Sequence, residues 1–192
     1  MKKDFEIIWK NKKGKAFEDL VSAFLKCMFP DTVFEQTDYI HDGGKDFYSV
    51  GSIDEERIWI EAKNYNNHLE LSKFSNTFIM ADISEINRII IFSMSEITHG
   101  AKINIARYAA YHNKSVSAYA GKDIWFLLKK YASSINLTDY IENVEELILE
   151  IQKIIPDTPD ISVNYEYYHA KQFNLTYRHD KDNYIKRSSN SK

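Results

Sequence analysis

Two carboxylates and an ammonium fall close together in HDGGKDFYSVGSIDEERIWIEAKNY, residues 41–65. Asp46 follows a Gly-Gly turn, and Glu61 and Lys63 stand in Glu-Ala-Lys. Side chains alternate across a β-strand, so residues two apart share a face, and Glu61 and Lys63 point the same way. With DFYSV and RIWIEAK paired as a hairpin through the turn near residues 51–56, Asp46 lies opposite the end that carries Glu61, beside an apolar body of Trp59, Ile60 and Ala62. Such a set suits phosphodiester chemistry. A hard divalent cation such as Mg²⁺ takes one or two carboxylates, waters and the substrate's own phosphate oxygens. Asp46 and Glu61 would hold the ion, with the Ala62 backbone carbonyl as a third ligand, and the ion would polarise a scissile phosphate and acidify a bound water. Lys63 would orient that water or stabilise the developing negative charge. Spacing alone has a plainer reading: Glu61 and Lys63 as a surface ion pair worth about 0 to 1 kcal/mol, and Asp46 as a turn-capping carboxylate.

Positioning these groups requires strands and covering helices. Phe17, Leu20, Val21, Phe24, Leu25 and Met28 recur at helical spacing and predict a first helix that Pro30 closes. TVFEQT, DFYSV and RIWIEAK follow as a three-stranded meander. A helix over about Leu69 to Asp82 leads to RIIIFSM at 88–94, whose unbroken apolar run suits a strand covered on both faces. A helix from about Thr98 to His112, a strand around Ser115 to Tyr119 and a helix from Lys122 to Tyr131 complete the order α-β-β-β-α-β-α-β-α, an α/β sandwich around a mixed sheet. A further helix over about Asp139 to Ile155 carries Ile141, Val144, Ile148, Ile151 and Ile155 at 3,4 spacing. Two heptads are too few for a coiled coil, so packing on the core is favoured over a dimer seam.

GKAFEDLVSAFL, GGKDF and IEAKNY, in that order and spacing, resemble the catalytic core of the PD-(D/E)xK nuclease superfamily, and within it the Mrr-like restriction endonuclease branch. THGAKINIARYAAYHNKSVSAYAGKDIWFLL resembles the distal half of that branch, and the similarity covers about residues 12–131. The resemblance implies a restriction-endonuclease-like three-layer sandwich, with Asp46 and Glu61 as metal ligands, Lys63 as the catalytic lysine and Glu18 on the first helix as a supporting acid. It also implies Mg²⁺ dependence with Mn²⁺ able to substitute, DNA as substrate, 5′-phosphate and 3′-hydroxyl products, and a role in restriction or anti-phage defence. Many members of the branch carry Gln where Glu61 stands and a second polar residue in the next helix, for which Ser72, Lys73 and Asn76 are on offer without a clear match. A competing reading is a non-catalytic nucleic-acid-binding or oligomerisation module that keeps the nuclease fold. A weaker one is an RNA-directed nuclease, because the metal chemistry is blind to the sugar.

Composition bounds the rest. The chain has 192 residues, 44% hydrophobic, enough for one core with some length left over. No run approaches the roughly 18 apolar residues of a membrane span. Cys27 is the only cysteine, which excludes an internal disulfide and a cysteine-rich zinc site and fits a reducing, cytoplasmic setting. The net charge is −3, but residues 170–192 carry a balance of +4 and leave −7 for residues 1–169. Part of that acidity belongs to the proposed metal site and part to the late helix, at Glu142, Glu145, Glu146 and Glu150.

The expected organisation is a nuclease domain over 1–135, an amphipathic helix and Pro-containing linker over 136–158, and a β-ribbon-like basic segment over 159–192. That last segment reads as the start of something further, such as an NTPase or sensor domain. Cutting both strands of a duplex calls for two active sites, hence a homodimer or larger assembly. His41, His68, His99 and His112 lack metal-ligand spacing; His99 with Lys102 near a helix start could touch a phosphate. Asp42 reads as a turn residue that could serve as an alternative acid. Trp59 and Trp125 read as core.

Overall fold

The computed structural model describes residues 6–37, 46–50 and 57–154. The turn expected at 51–56, the Gly-Gly turn with His41 and Asp42, and the ribbon-like segment 159–192 lie outside them. Helix α1 (Lys13–Met28) precedes strands β1 (Val33–Gln36), β2 (Phe47–Val50) and β3 (Ile58–Lys63). Then come α2 (Ser75–Ile83), β4 (Arg88–Ser93), α3 (His99–Tyr111), β5 (Ser115–Ala120), α4 (Lys122–Tyr131) and α5 (Val144–Ile154).

One five-stranded sheet runs in the order β1-β2-β3-β4-β5. β1, β2 and β3 pair antiparallel, and β3, β4 and β5 pair parallel. Central β4 reads Arg-Ile-Ile-Ile-Phe-Ser, and every residue after Arg88 is buried, as expected of a parallel strand with helices on both sides. Alternation along the strands splits the core in two. Ile58, Ile60, Ile90 and Phe92 face the apolar stripe of α1 and the inner faces of α4 and α5. Trp59, Ile89, Ile91 and Val116 face Phe74, Phe78 and Ala81 on the other side, with Ala101, Ile105 and Ala109 of α3. The result is the expected three-layer α/β sandwich around a mixed sheet. No helix among the described residues is long and apolar enough to cross a membrane.

Two helices begin later than their apolar spacing suggests. The segment expected as one helix from Leu69 forms a bridge between Leu69 and Ile97, then a 3-10 turn over Leu71–Lys73, and only then α2. Extended backbone at Glu70, with φ −95° and ψ 164°, separates the bridge from the turn. Likewise the stripe expected from Asp139 breaks at Ile141, which pairs with Trp9 in a bridge instead of joining α5. The Asn143 side chain accepts the Ile8 N–H at 2.9 Å and donates to the Glu6 carbonyl at 3.0 Å, holding the chain start against this corner. Leu147 and Ile151 of α5 are buried with Leu137 and Ile141 in the core that α1 and α4 share, so the helix packs on the sandwich.

Candidate active site

β3 is buried along its length until Lys63, although it carries a carboxylate. Glu61 is 1% exposed, a costly place for a charge unless its oxygens find partners. Alternation turns Trp59, Glu61 and Lys63 to the α2 side of the sheet, where both carboxylate oxygens are met. The Lys63 ammonium pairs with Oε1, and the Thr77 hydroxyl donates to Oε2 at 3.0 Å. Burial still dominates and pushes the Glu61 carboxyl up to about 7; Lys63 pulls it down, the charge of Asp46 pushes it further up, and Thr77 lowers it slightly. For Lys63 burial acts first and downward, but the attraction of Glu61, with smaller contributions from Asp46 and Tyr65, outweighs it and raises the ammonium. Lys63 is therefore charged at neutral pH while Glu61 is poised near its titration point.

Asp46 is fixed by its own backbone. Its N–H donates to the Ile60 carbonyl at 2.8 Å, and its carbonyl accepts the Thr37 N–H at 3.0 Å and the Thr37 hydroxyl at 3.2 Å. The β2–β3 register ends at Phe47 against Ile60, and the Asp46 N–H donates to the carbonyl of that same Ile60, which brings Asp46 to the Glu61 end of β3. Its carboxylate accepts the Ala62 N–H at 2.5 Å, two residues past the last β2–β3 pair. Ala62 thus engages Asp46 through its amide, and Asp46, Glu61 and Lys63 come together at the end of β3 as expected.

Glu18 approaches from α1. Burial raises its carboxyl first and the charge of Asp46 second, so the two acids face each other electrostatically. Gln36 at the end of β1 donates to Glu18 Oε2 at 3.3 Å, while Lys15 donates to Gln36 Oε1 at 3.1 Å. Among the other expectations, Trp59 and Trp125 are core residues, and Lys102 lies 3.8 Å from Glu96. No group of three or more His, Cys, Asp or Glu is arranged to hold a metal among the described residues. The site therefore offers a carboxylate pair, the donor set that Mg²⁺ commonly uses while keeping several waters. The fit is chemical: a buried carboxylate destabilised by burial and by a second acid, with one ammonium paired to it, lacks positive charge that a hard divalent cation would supply.

Thr77 and Gln36 are the site residues that sequence reasoning missed. Thr77 occupies the apolar face of α2 with Phe74, Phe78 and Ala81, and the signal for it is a hydroxyl on an otherwise hydrophobic stripe. Thr77→Val keeps the shape and leaves Oε2 of Glu61 without this donor, so we expect a loss of about 1 to 3 kcal/mol in urea unfolding at pH 8. Thr77→Ser should recover most of it. An unchanged midpoint for the valine variant would show that the bond contributes nothing.

Residues 10–125 match the family model of the Mrr catalytic domain, described as a restriction endonuclease. Two of the solved structures that resemble the chain show the likeness. One is the DNA modification-dependent restriction endonuclease AspBHI, at 19% identity and TM-score 0.46, over 72% of this chain and 35% of that one. The other is the MspJI restriction endonuclease in complex with a 27-mer oligonucleotide, at 14% identity and TM-score 0.47, over 72% and 32%. The matched region thus spans about a third of the length of these two proteins. No curated protein matches the chain.

Proposed function

From the premise that this chain belongs to the Mrr catalytic-domain family of restriction endonucleases, we propose that it is a Mg²⁺-dependent DNA endonuclease acting in restriction or anti-phage defence. Membership in this family implies endonuclease activity. The observation that carries the proposal is the buried Glu61 carboxylate, within electrostatic reach of Asp46 and touching Lys63 at the end of β3.

Asp46 and Glu61 would hold the ion, with the Ala62 carbonyl a further ligand and Glu18 supporting from α1. When bound, Mg²⁺ supplies Lewis acidity and an acidified water, and Mn²⁺ can replace it. Asp46 keeps its carboxylate in place through its backbone bonds, and Thr77 holds Oε2 of Glu61 by its hydrogen bond. Lys63, charged at neutral pH, presents an ammonium to the phosphate and meets the negative charge that grows as the bond breaks. Duplex cleavage would bring two copies of the chain together. The whole reading places the protein in the cytoplasm, where foreign DNA is met.

The test is plasmid nicking and linearisation by the wild type with Mg²⁺, with Mn²⁺ and with EDTA, beside Asp46→Ala and Glu61→Ala, with a structured RNA in parallel. Cleavage of DNA that needs the ion and both carboxylates, and leaves 5′-phosphate ends, is expected. Equal nicking by all proteins under all conditions would mean contamination and overturn the assignment. Metal-indifferent binding without cleavage would favour a non-catalytic module, and cleavage of RNA alone would change the substrate.

A further inference from the structure

We propose that the segment following β3, residues 64–67, forms with Lys73 a contact surface for the DNA strand beside the scissile phosphate. Tyr65 packs against a sugar or base edge there, and Lys73 meets a phosphate. This rests on the reading of the chain as a DNA endonuclease.

The segment is irregular, half-buried at Asn64 and exposed over 65–67, yet side chains from two other parts of the fold hold it. Asn64 donates to the Lys13 carbonyl at the start of α1 at 2.8 Å, and the Lys13 ammonium returns to Asn66 Oδ1. On the other side the Ser95 hydroxyl, in the loop after β4, donates to the Tyr65 carbonyl. Ordering an exposed loop costs entropy, and the two apolar cores gain nothing from it, since Tyr65 belongs to neither. Tyr65 instead remains 43% exposed. It lies near enough to Lys63 for the two to interact electrostatically.

Lys73 adds the charge. It arrives from the 3-10 turn before α2, and its ammonium stands 5.4 Å from the centre of the Tyr65 ring. An exposed cation over a ring adds little to stability, a small return for two ordered side chains if stability were its purpose. Among the described residues Lys73 has no carboxylate partner within ion-pair distance, so its charge is available to an anion. A flat ring, an ammonium and neighbouring asparagine amides, fixed one step beyond Lys63, match a sugar-phosphate strand. Phosphate is met by the cation and the exposed amides of Asn66 and Asn67, and the ring accepts the less polar face of the nucleotide.

The experiment measures binding of a fluorescent duplex by anisotropy across a salt series, with EDTA present so that nothing is cut. It compares wild type with Lys73→Gln, Tyr65→Ala and Tyr65→Phe, and records Mg²⁺-induced thermal shifts of each protein. Lys73→Gln should weaken binding by about 3- to 10-fold and reduce the salt slope by about one. Tyr65→Ala should weaken it by about 5- to 20-fold, with Tyr65→Phe within about twofold of wild type, because the ring makes the contact. Metal-induced shifts should stay at the wild-type value throughout. Wild-type affinity and slope in both Lys73→Gln and Tyr65→Ala would overturn the surface and leave the nuclease reading standing. Loss of the metal-induced shift would also overturn it, assigning the segment to support of the metal site. A wild-type chain that neither binds nor cuts DNA would remove the DNA reading first, and this surface with it.

Discussion

Replacing Lys63 with methionine should slow plasmid cleavage by about 10²- to 10³-fold, the usual cost of one charge-stabilising donor, while divalent-ion uptake persists. Lys63 is the one member of the trio that cannot be a metal ligand while protonated, and the neighbouring acids keep it protonated. Its side chain is 23% exposed, with the ammonium at Glu61. Methionine preserves most of the apolar stem and removes only the charge. Asp46→Asn removes a proposed ligand and should lose cleavage and metal uptake together. Lys63→Arg should not rescue, because a planar guanidinium does not fit where a compact ammonium meets a carboxylate that is 1% exposed. Single-turnover cleavage and metal-induced thermal shifts, measured side by side, separate the roles. Lys63→Met at the wild-type rate, or losing the metal-induced shift as completely as Asp46→Asn, would sink the assignment.

The contrast between Lys63 and Thr77 shows what a sequence can reveal about such a site. Asp46, Glu61 and Lys63 were legible because strand alternation has a period of two and an antiparallel pair fixes who stands opposite whom. The register of Phe47 against Ile60 is what the hairpin expectation required. Thr77 was not legible because a helix face depends on where the helix begins. A helix starting at Leu69 offers Ser72, Lys73 and Asn76. The bridge at Leu69 and the 3-10 turn before Ser75 change the phase and turn Thr77 to Glu61 instead.

The same limit moved the start of α5. Ile141 continues an apolar period that a strand bridge to Trp9 satisfies equally well. Glu18 fell between these cases. Helical spacing put it at the edge of the buried stripe, but its link to Gln36 depends on the end of β1 lying beside α1, which only the sheet order determines. Burial of Glu61 was invisible too, since Glu-x-Lys reads equally well as a solvated strand end.

That burial has a measurable consequence: without metal the protein should lose stability between pH 6 and pH 8, and Mg²⁺ should restore more at pH 8 than at pH 6. The Glu61 carboxyl sits at about 7 in the folded chain against 4.5 as its reference value, so between those values the fold holds a proton that the unfolded chain releases. A raised folded value means the stabilising contribution is complete below about 4.5 and disappears as pH climbs through 7. The full span corresponds to about 3 kcal/mol at most, most of it lost between pH 5 and 8. Glu18, raised by burial and by Asp46, acts in the same direction. The raised Lys63 titrates far above this window and adds nothing within it.

A divalent ion binds the ionised carboxylate, so its uptake competes with that proton and strengthens as pH rises. Urea midpoints at pH 6 and pH 8, with EDTA and with millimolar Mg²⁺, measure both effects. Glu61→Gln cannot ionise and should flatten the metal-free dependence, leaving the smaller share due to Glu18. A wild type whose metal-free stability holds level or rises toward pH 8, or an equal Mg²⁺ effect at the two pH values, would mean that Glu61 is already ionised without metal. The charge deficit that makes this site fit a divalent cation would then be absent.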